Sequence, residues 1–122
     1  MANINLYELT AKELRDKFLS GDLSAFEIVN SFYQRIEKVE DKVKSFVSLR
    51  KEKALEEAKK LDEKKKNGEK LGKLAGIPIA IKDDILMEGE KSTSCSKILE
   101  NYVGIYDATA AKIGRASCRE RV

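Results

Sequence analysis

One short run limits the architecture more than any other. Ile77-Pro78-Ile79-Ala80-Ile81 is apolar at consecutive positions, so a strand built from it is apolar on both faces. Such a strand is stable when covered on both sides, as in a parallel or mixed sheet flanked by helices. Pro78 has no N–H to donate and is confined to the start of the strand. The expected fold class is therefore α/β, with helices followed by a strand of a mixed sheet flanked by helices.

The helices have clear starts. Thr10-Ala11-Lys12-Glu13 sets a hydroxyl at an N-cap and a carboxylate three residues on, a capping box, and predicts a helix ending near Ser20-Gly21. Ser24-Ala25-Phe26-Glu27 is a second box. Behind it, Ile28, Val29, Phe32, Tyr33, Ile36, Val39, Val43, Phe46 and Val47 recur at three and four, with Glu40-Asp41 a potential break. This stripe reads as core, not as a ligand box. Arg50 to Lys66 is a solvated helix with Leu55, Ala58 and Leu61 on one side, stopped by Asn67-Gly68. Met87–Lys91 is a turn around Gly89. Ser92–Tyr102 is expected to start a helix with Ile98, Leu99 and Tyr102 on one side, and Asp107–Lys112 opens another.

Charge and composition exclude several functions. Lys plus Arg is 24 and Asp plus Glu is 21, a balance of +3 that does not point to a nucleic acid or a membrane. Lys64-Lys65-Lys66 lies among compensating carboxylates and reads as a wet helix face. The absence of histidine removes His-dependent triads and His metal sites. Cys95 and Cys118 make no CxxC pair and no disulfide framework, which fits a reducing compartment. There is no apolar signal core at the N-terminus and no apolar run near the ~18–20 residues that span a membrane. A cytoplasmic protein is expected. No GxGxxG, GxxxxGK[ST] or GxSxG is present, so the chain has no phosphate loop and no nucleophile elbow.

The last ten residues differ from the rest. Residues 1–112 hold eighteen Lys and three Arg, whereas Ile113–Val122 holds three Arg and no Lys. Ile113-Gly114-Arg115-Ala116-Ser117-Cys118-Arg119-Glu120-Arg121-Val122 has no helical or strand period. It back-translates as ATC GGA AGA GCG TCG TGT AGG GAA AGA GTG, one frame of a widely used DNA-sequencing adapter whose next codon is a stop. The expectation is a native segment at 1–112 and a translated adapter at 113–122, so no function is built on Cys118 or the terminal arginines.

Lys82 is the residue singled out for chemistry. It ends the apolar run and precedes Asp83-Asp84. The carboxyl end of a buried strand is where α/β enzymes place reactive groups. Desolvation there disfavours the ammonium and makes a lysine a proton acceptor, able to deprotonate a serine in place of histidine. The competing reading is a lysine that snorkels and pairs with Asp83 or Asp84. Ser92, Thr93, Ser94 and Ser96 surround Cys95; they either line a site or serve as loop and N-cap residues. Cys95 itself reads as a small packed residue.

Three blocks together resemble the amidase signature family. Gly72-Lys73-Leu74-Ala75-Gly76-Ile77-Pro78-Ile79-Ala80-Ile81-Lys82-Asp83 is similar to the segment around the family's catalytic lysine. Ser92–Tyr102 followed by Tyr106-Asp107-Ala108-Thr109 is similar to the stretch after it, and most like the tRNA-linked branch. The paired N-terminal helices with Arg35-Ile36-Glu37 are also similar. Asp84 stands where that branch commonly has Asn. The resemblance spans residues 5–112. It implies the amidase signature fold, of which this would be the N-terminal part, and a Ser–cis-Ser–Lys triad with Lys82 as the lysine. The two serines belong to a Gly- and Ser-rich loop that this chain does not contain, so the chain is expected to be inactive alone, and, as a fragment with the outer helices and one exposed sheet strand, marginal or aggregating. The whole protein would hydrolyse glutamine through an acyl-enzyme and pass ammonia to the B subunit of an amidotransferase. That B subunit would activate Glu-tRNA(Gln) or Asp-tRNA(Asn) with ATP and Mg, and a small C subunit would complete the heterotrimer. No cofactor is expected in this chain and no membrane partner. The alternatives are a stand-alone amidase acting on a small amide and a non-enzymatic helical interaction module.

Overall fold

The computed structural model describes residues 5–118. The sequence readings at residues 1–4 and 119–122 lie outside the described residues. A 3₁₀ turn over Leu6–Glu8 leads into four helices: α1 (Ala11–Ser20), α2 (Ala25–Val43), α3 (Lys51–Lys66) and α4 (Thr109–Cys118). Both capping boxes form. Thr10 N donates to Glu13 Oε2 at 2.8 Å, and Glu13 N donates back to Thr10 Oγ1 at 3.3 Å. Ser24 N donates to Glu27 Oε2 at 2.8 Å, and Glu27 N donates to Ser24 Oγ at 3.1 Å. Gly21 ends α1 in the left-handed region, as read from Ser20-Gly21.

α2 and α3 form an antiparallel hairpin. Asp62, near the end of α3, accepts from Ala25 N at 2.7 Å and Phe26 N at 3.1 Å at the start of α2. At the other end Lys51 pairs with Glu37. The Asp62 carboxylate closes two of the amide donors that a helix N-terminus leaves open. α1 packs onto this pair. The core is Leu14 and Phe18 from α1, Ala25, Ile28 and Val29 from α2, Ala58 and Leu61 from α3, and Ala75 and Ile77 from the segment that follows.

The apolar stripe of α2 is only partly used. The helix runs unbroken through Glu40-Asp41, and Lys44 stops it at φ 52°. Glu40 then accepts from Phe46 N at 2.7 Å, which turns the chain toward α3. Val43, Phe46 and Val47 of the predicted stripe are exposed, because nothing among the described residues packs on that end.

The expected buried strand is not formed. Ile77 is buried, but Ile79 is 42% and Ile81 39% exposed. Among the described residues no strand is present; the pairing consists of isolated bridges, Glu88 with Gly104 and Lys91 with Val103. A strand needs a neighbouring backbone to bond to, and none of the described residues supplies one beside 77–81. The mixed sheet is therefore not part of this structure.

Residues 82–108 form loops joined by hydrogen bonds. Gly89 makes the predicted turn, with Glu90 N donating to Met87 O at 3.1 Å. Gly104 lies so close to Met87 O that any Cβ would collide with it. Glu90 ties the loops to α3 by accepting from Lys53 at 3.0 Å and pairing with Arg50. Ser92–Tyr102 is not helical. It is a series of turns, with Ser94 at φ 47° and Cys95 at φ 54°, values incompatible with a right-handed helix. α4 begins near the place read from Asp107–Lys112. Its backbone continues through Ile113 to Cys118, although that segment has no amphipathic period, because propagating a helix costs far less than nucleating one.

Two outcomes are expected in urea unfolding followed by circular dichroism. Ser24→Ala removes the cap and lowers stability by about 1 kcal/mol. Backbone and side-chain hydrogen bonds from Ser24 hold the Glu27 carboxyl below its ordinary value. Its contribution is thus present above the ordinary pKa of about 4.3 and is lost as pH falls through the lowered folded value, a dependence that Ser24→Ala weakens. Gly76→Ala is more damaging: φ is +81°, and a Cβ would lie 2.9 Å from Phe18 ring carbons. A shift in midpoint smaller than that of Ser24→Ala would contradict this account.

Candidate active-site segment around Lys82

The segment reaches its place through the core. Ala75 and Ile77 are buried against the helices, and turns close from Ala75 N to Gly72 O at 3.3 Å and from Ile77 N to Leu74 O at 3.1 Å. The chain then emerges through Ile79 and Ile81 to Lys82. Its carbonyl accepts from Ile85 N at 3.0 Å, so Lys82 opens a turn.

Lys82 is not desolvated. Its side chain is 79% exposed, and its Nζ donates to Asp84 Oδ2 at 2.9 Å. The hydrogen bond and the charge of Asp84 push the lysine above its ordinary value. The sequence left two readings, a desolvated proton acceptor and a lysine paired with Asp83 or Asp84, and the paired one is what the described residues show. Of the two carboxylates read as ion-pair partners, Asp84 takes that role and Asp83 does not.

Asp83 instead turns away toward residues 92–95. Its Oδ1 accepts from Thr93 N at 2.9 Å, and its Oδ2 accepts from the Thr93 hydroxyl and from Cys95 N at 3.3 Å. Its main-chain carbonyl accepts from Ser92 Oγ at 2.8 Å and from Ser94 N at 3.5 Å. The hydroxyl and then the amide of Thr93 hold the Asp83 carboxyl below its ordinary value. Ser92 and Thr93 are buried, whereas Cys95 is an exposed free thiol. The hydroxyls of Ser92 and Thr93 therefore bind Asp83 instead of capping a helix over 92–102, and Cys95 is not a packed core residue. No local spacing in the sequence signals this partnership, which joins residues ten apart across a turn. Among the described residues, no group of three or more Cys, Asp or Glu is placed to hold a metal ion, and no helix is long and apolar enough to cross a membrane.

The arrangement is a lysine at the exit of an apolar segment, rooted beside a hydroxyl-rich loop. The class of protein comes from comparison with known proteins. The amidase family profile matches residues 27–116, and the chain belongs to that family. It is 86% identical over 108 residues to the A subunit of the glutamyl-tRNA(Gln) amidotransferase of Fusobacterium nucleatum subsp. nucleatum, and 48% identical over 107 residues to that of Chlamydia felis; each match takes in 88% of this chain. The chain spans 22% of the length of these curated relatives. Among solved structures, a bacterial aryl acylamidase of the amidase signature enzymes superposes with a TM-score of 0.81 at 25% identity. The match covers 90% of this chain and 24% of that one. A complex described as revealing the origins of an s-triazine catabolic enzyme gives 0.83 at 26% identity, with the same coverage.

The ion pair makes a direct prediction. In competitive acetylation read by mass spectrometry, Lys82 labels at higher pH than other exposed lysines. Asp84→Asn brings its profile back to theirs. An unchanged profile would mean that Asp84 does not hold the ammonium.

Proposed function

We propose that the chain is the N-terminal part of the glutamine-hydrolysing subunit of a tRNA-dependent amidotransferase. The observation that carries this is the 86% identity over 108 residues with the Fusobacterium protein, against 25–26% with amidase-fold enzymes of other kinds. That contrast favours the amidotransferase over a stand-alone amidase of a small amide. In this reading Lys82, as a neutral amine, takes the proton of a nucleophilic serine through a bridging serine. The serine oxygen attacks the side-chain amide carbon of glutamine, the C–N bond breaks, and ammonia leaves with the returned proton. Water then releases glutamate from the acyl-enzyme. Both serines lie outside residues 1–122. The remaining part of the fold supplies the other strands beside Ile77–Ile81 and covers Lys82, and that burial favours the neutral amine. The partners are the B and C subunits, in the cytoplasm. ATP and Mg serve the B subunit, which activates the carboxylate of the misacylated tRNA to accept ammonia.

The test is glutamine hydrolysis by the full-length subunit with its partners. Lys82→Ala lowers kcat by at least about 1000-fold, as expected for one member of a unit that acts together. Residues 1–122 alone release no ammonia from glutamine. Wild-type turnover in Lys82→Ala, or activity in the isolated chain, would refute the assignment. Reading the source gene past the codon for Lys112 tests the expectation that Ile113–Val122 is adapter. A frame that continues into a Gly- and Ser-rich loop supports it.

A further inference from the structure

We propose that Asp83 is a positioning residue for Lys82, locking the backbone from which the lysine projects onto the loop Ser92–Cys95. The proposal rests on the reading of Lys82 as the proton-accepting lysine and adds a residue to that reaction. Asp83 follows Lys82 directly, so whatever immobilises Asp83 sets the direction in which the lysine stem leaves the chain. Asp83 receives hydrogen bonds from four consecutive residues, through its carboxylate from Thr93 and Cys95 and through its carbonyl from Ser92 and Ser94. Thr93 Oγ1 also accepts from Cys95 N at 3.2 Å, so the hydroxyl relays between the loop backbone and the carboxylate.

Ser92 N also donates to Tyr102 O at 3.1 Å and Ser96 N to Thr93 O at 2.9 Å, but neither bond involves Ser94 or Cys95. Ser94 and Cys95 are consecutive non-glycine residues in the left-handed region. Such a conformation persists only where its surroundings over-determine it. Apolar packing does not do so here, since Ile98 is 93% exposed and Cys95 is exposed. Ser92 and Thr93 are the buried polar residues of the loop, and both donate to Asp83. Asp84 holds the head of the lysine in the open structure, whereas Asp83 holds its root.

An ionised carboxylate is the group this site calls for. It is acceptor-only, and its two oxygens meet the Thr93 amide, the Thr93 hydroxyl and the Cys95 amide. Asparagine keeps one acceptor and turns the other side into a donor. The two amides then compete for one oxygen, and an N–H faces an N–H.

The experiment uses the full-length subunit in complex with its partners. Glutamine hydrolysis is measured as kcat per active site, with sites counted by a covalent glutamine analogue, alongside KM. Asp83→Asn and Thr93→Val are expected to lower kcat per site by about 10- to 100-fold with KM changed less than about 2-fold, the signature of a misplaced group. Thr93→Ser retains the hydroxyl and is expected to restore kcat. Wild-type kcat per site in both Asp83→Asn and Thr93→Val overturns the proposal, as does a loss explained by fewer sites or by KM. If Asp83→Asn fails to fold, Thr93→Val against Thr93→Ser decides, and equal losses in those two overturn it. Lys82→Ala is run beside them. Wild-type turnover there refutes the lysine reading and the proposal together, whereas inactive Lys82→Ala with normal Asp83→Asn and normal Thr93→Val refutes the proposal alone.

Discussion

The ring of Phe18 is where the helices and the Lys82 segment meet. It is fully buried, and Gly76 approaches it so closely that a Cβ would stand 2.9 Å from the ring. The Lys65 ammonium lies 4.7 Å from the ring centroid and donates to the Phe18 carbonyl. Burying a side chain of this size contributes about 1.5–3 kcal/mol, and removing such a ring from a core costs about 3–5 kcal/mol. More depends on this contact than its energy. α1, the end of α3 and the turn before Ile77 all converge on the ring. The path of the chain toward Lys82 is set by how that turn seats against it.

Outward from this core, polar side chains replace apolar packing as the means of holding the chain. Asp62 caps α2 from α3, Glu90 binds Lys53 and Arg50, Asp83 gathers the loop 92–95, and Asp107 accepts from Glu88 N at 2.8 Å. Each joins residues well separated in sequence. Exposed ion pairs add at most about 1 kcal/mol each. Their value lies in direction: hydrogen bonds to a carboxylate specify orientation, which apolar contact does not.

The same division explains the state of Lys82. A lysine in water beside a carboxylate is an ammonium, and here it is held further toward that form. Exposed Ile79, Ile81, Ile98 and Ile105 give the same part of the chain an apolar surface that nothing among the described residues covers. In the proposed reading, cover over that surface is what favours the neutral amine of Lys82. The open segment and the exposed isoleucines are thus two aspects of one condition.

Local signals in the sequence determined the helices. Thr10/Glu13 and Ser24/Glu27 start α1 and α2, Gly21 and Asn67-Gly68 end α1 and α3, and Ala58 and Leu61 face the core, because caps and period act over one or two turns and need no distant partner. The pairing of Lys82 with a neighbouring carboxylate was also legible as one of two readings, from Asp83-Asp84 directly after it. The tertiary structure alone decided the rest. Ile77–Ile81 carries strand residues without strand pairing, since a strand is completed by another segment. Ser92–Tyr102 carries a plausible helical face, yet Asp83 competes for its amides and hydroxyls and bends it into turns. Which of two adjacent carboxylates faces the lysine and which faces the loop depends on a partner ten residues away, and that relation exists only once the chain has folded.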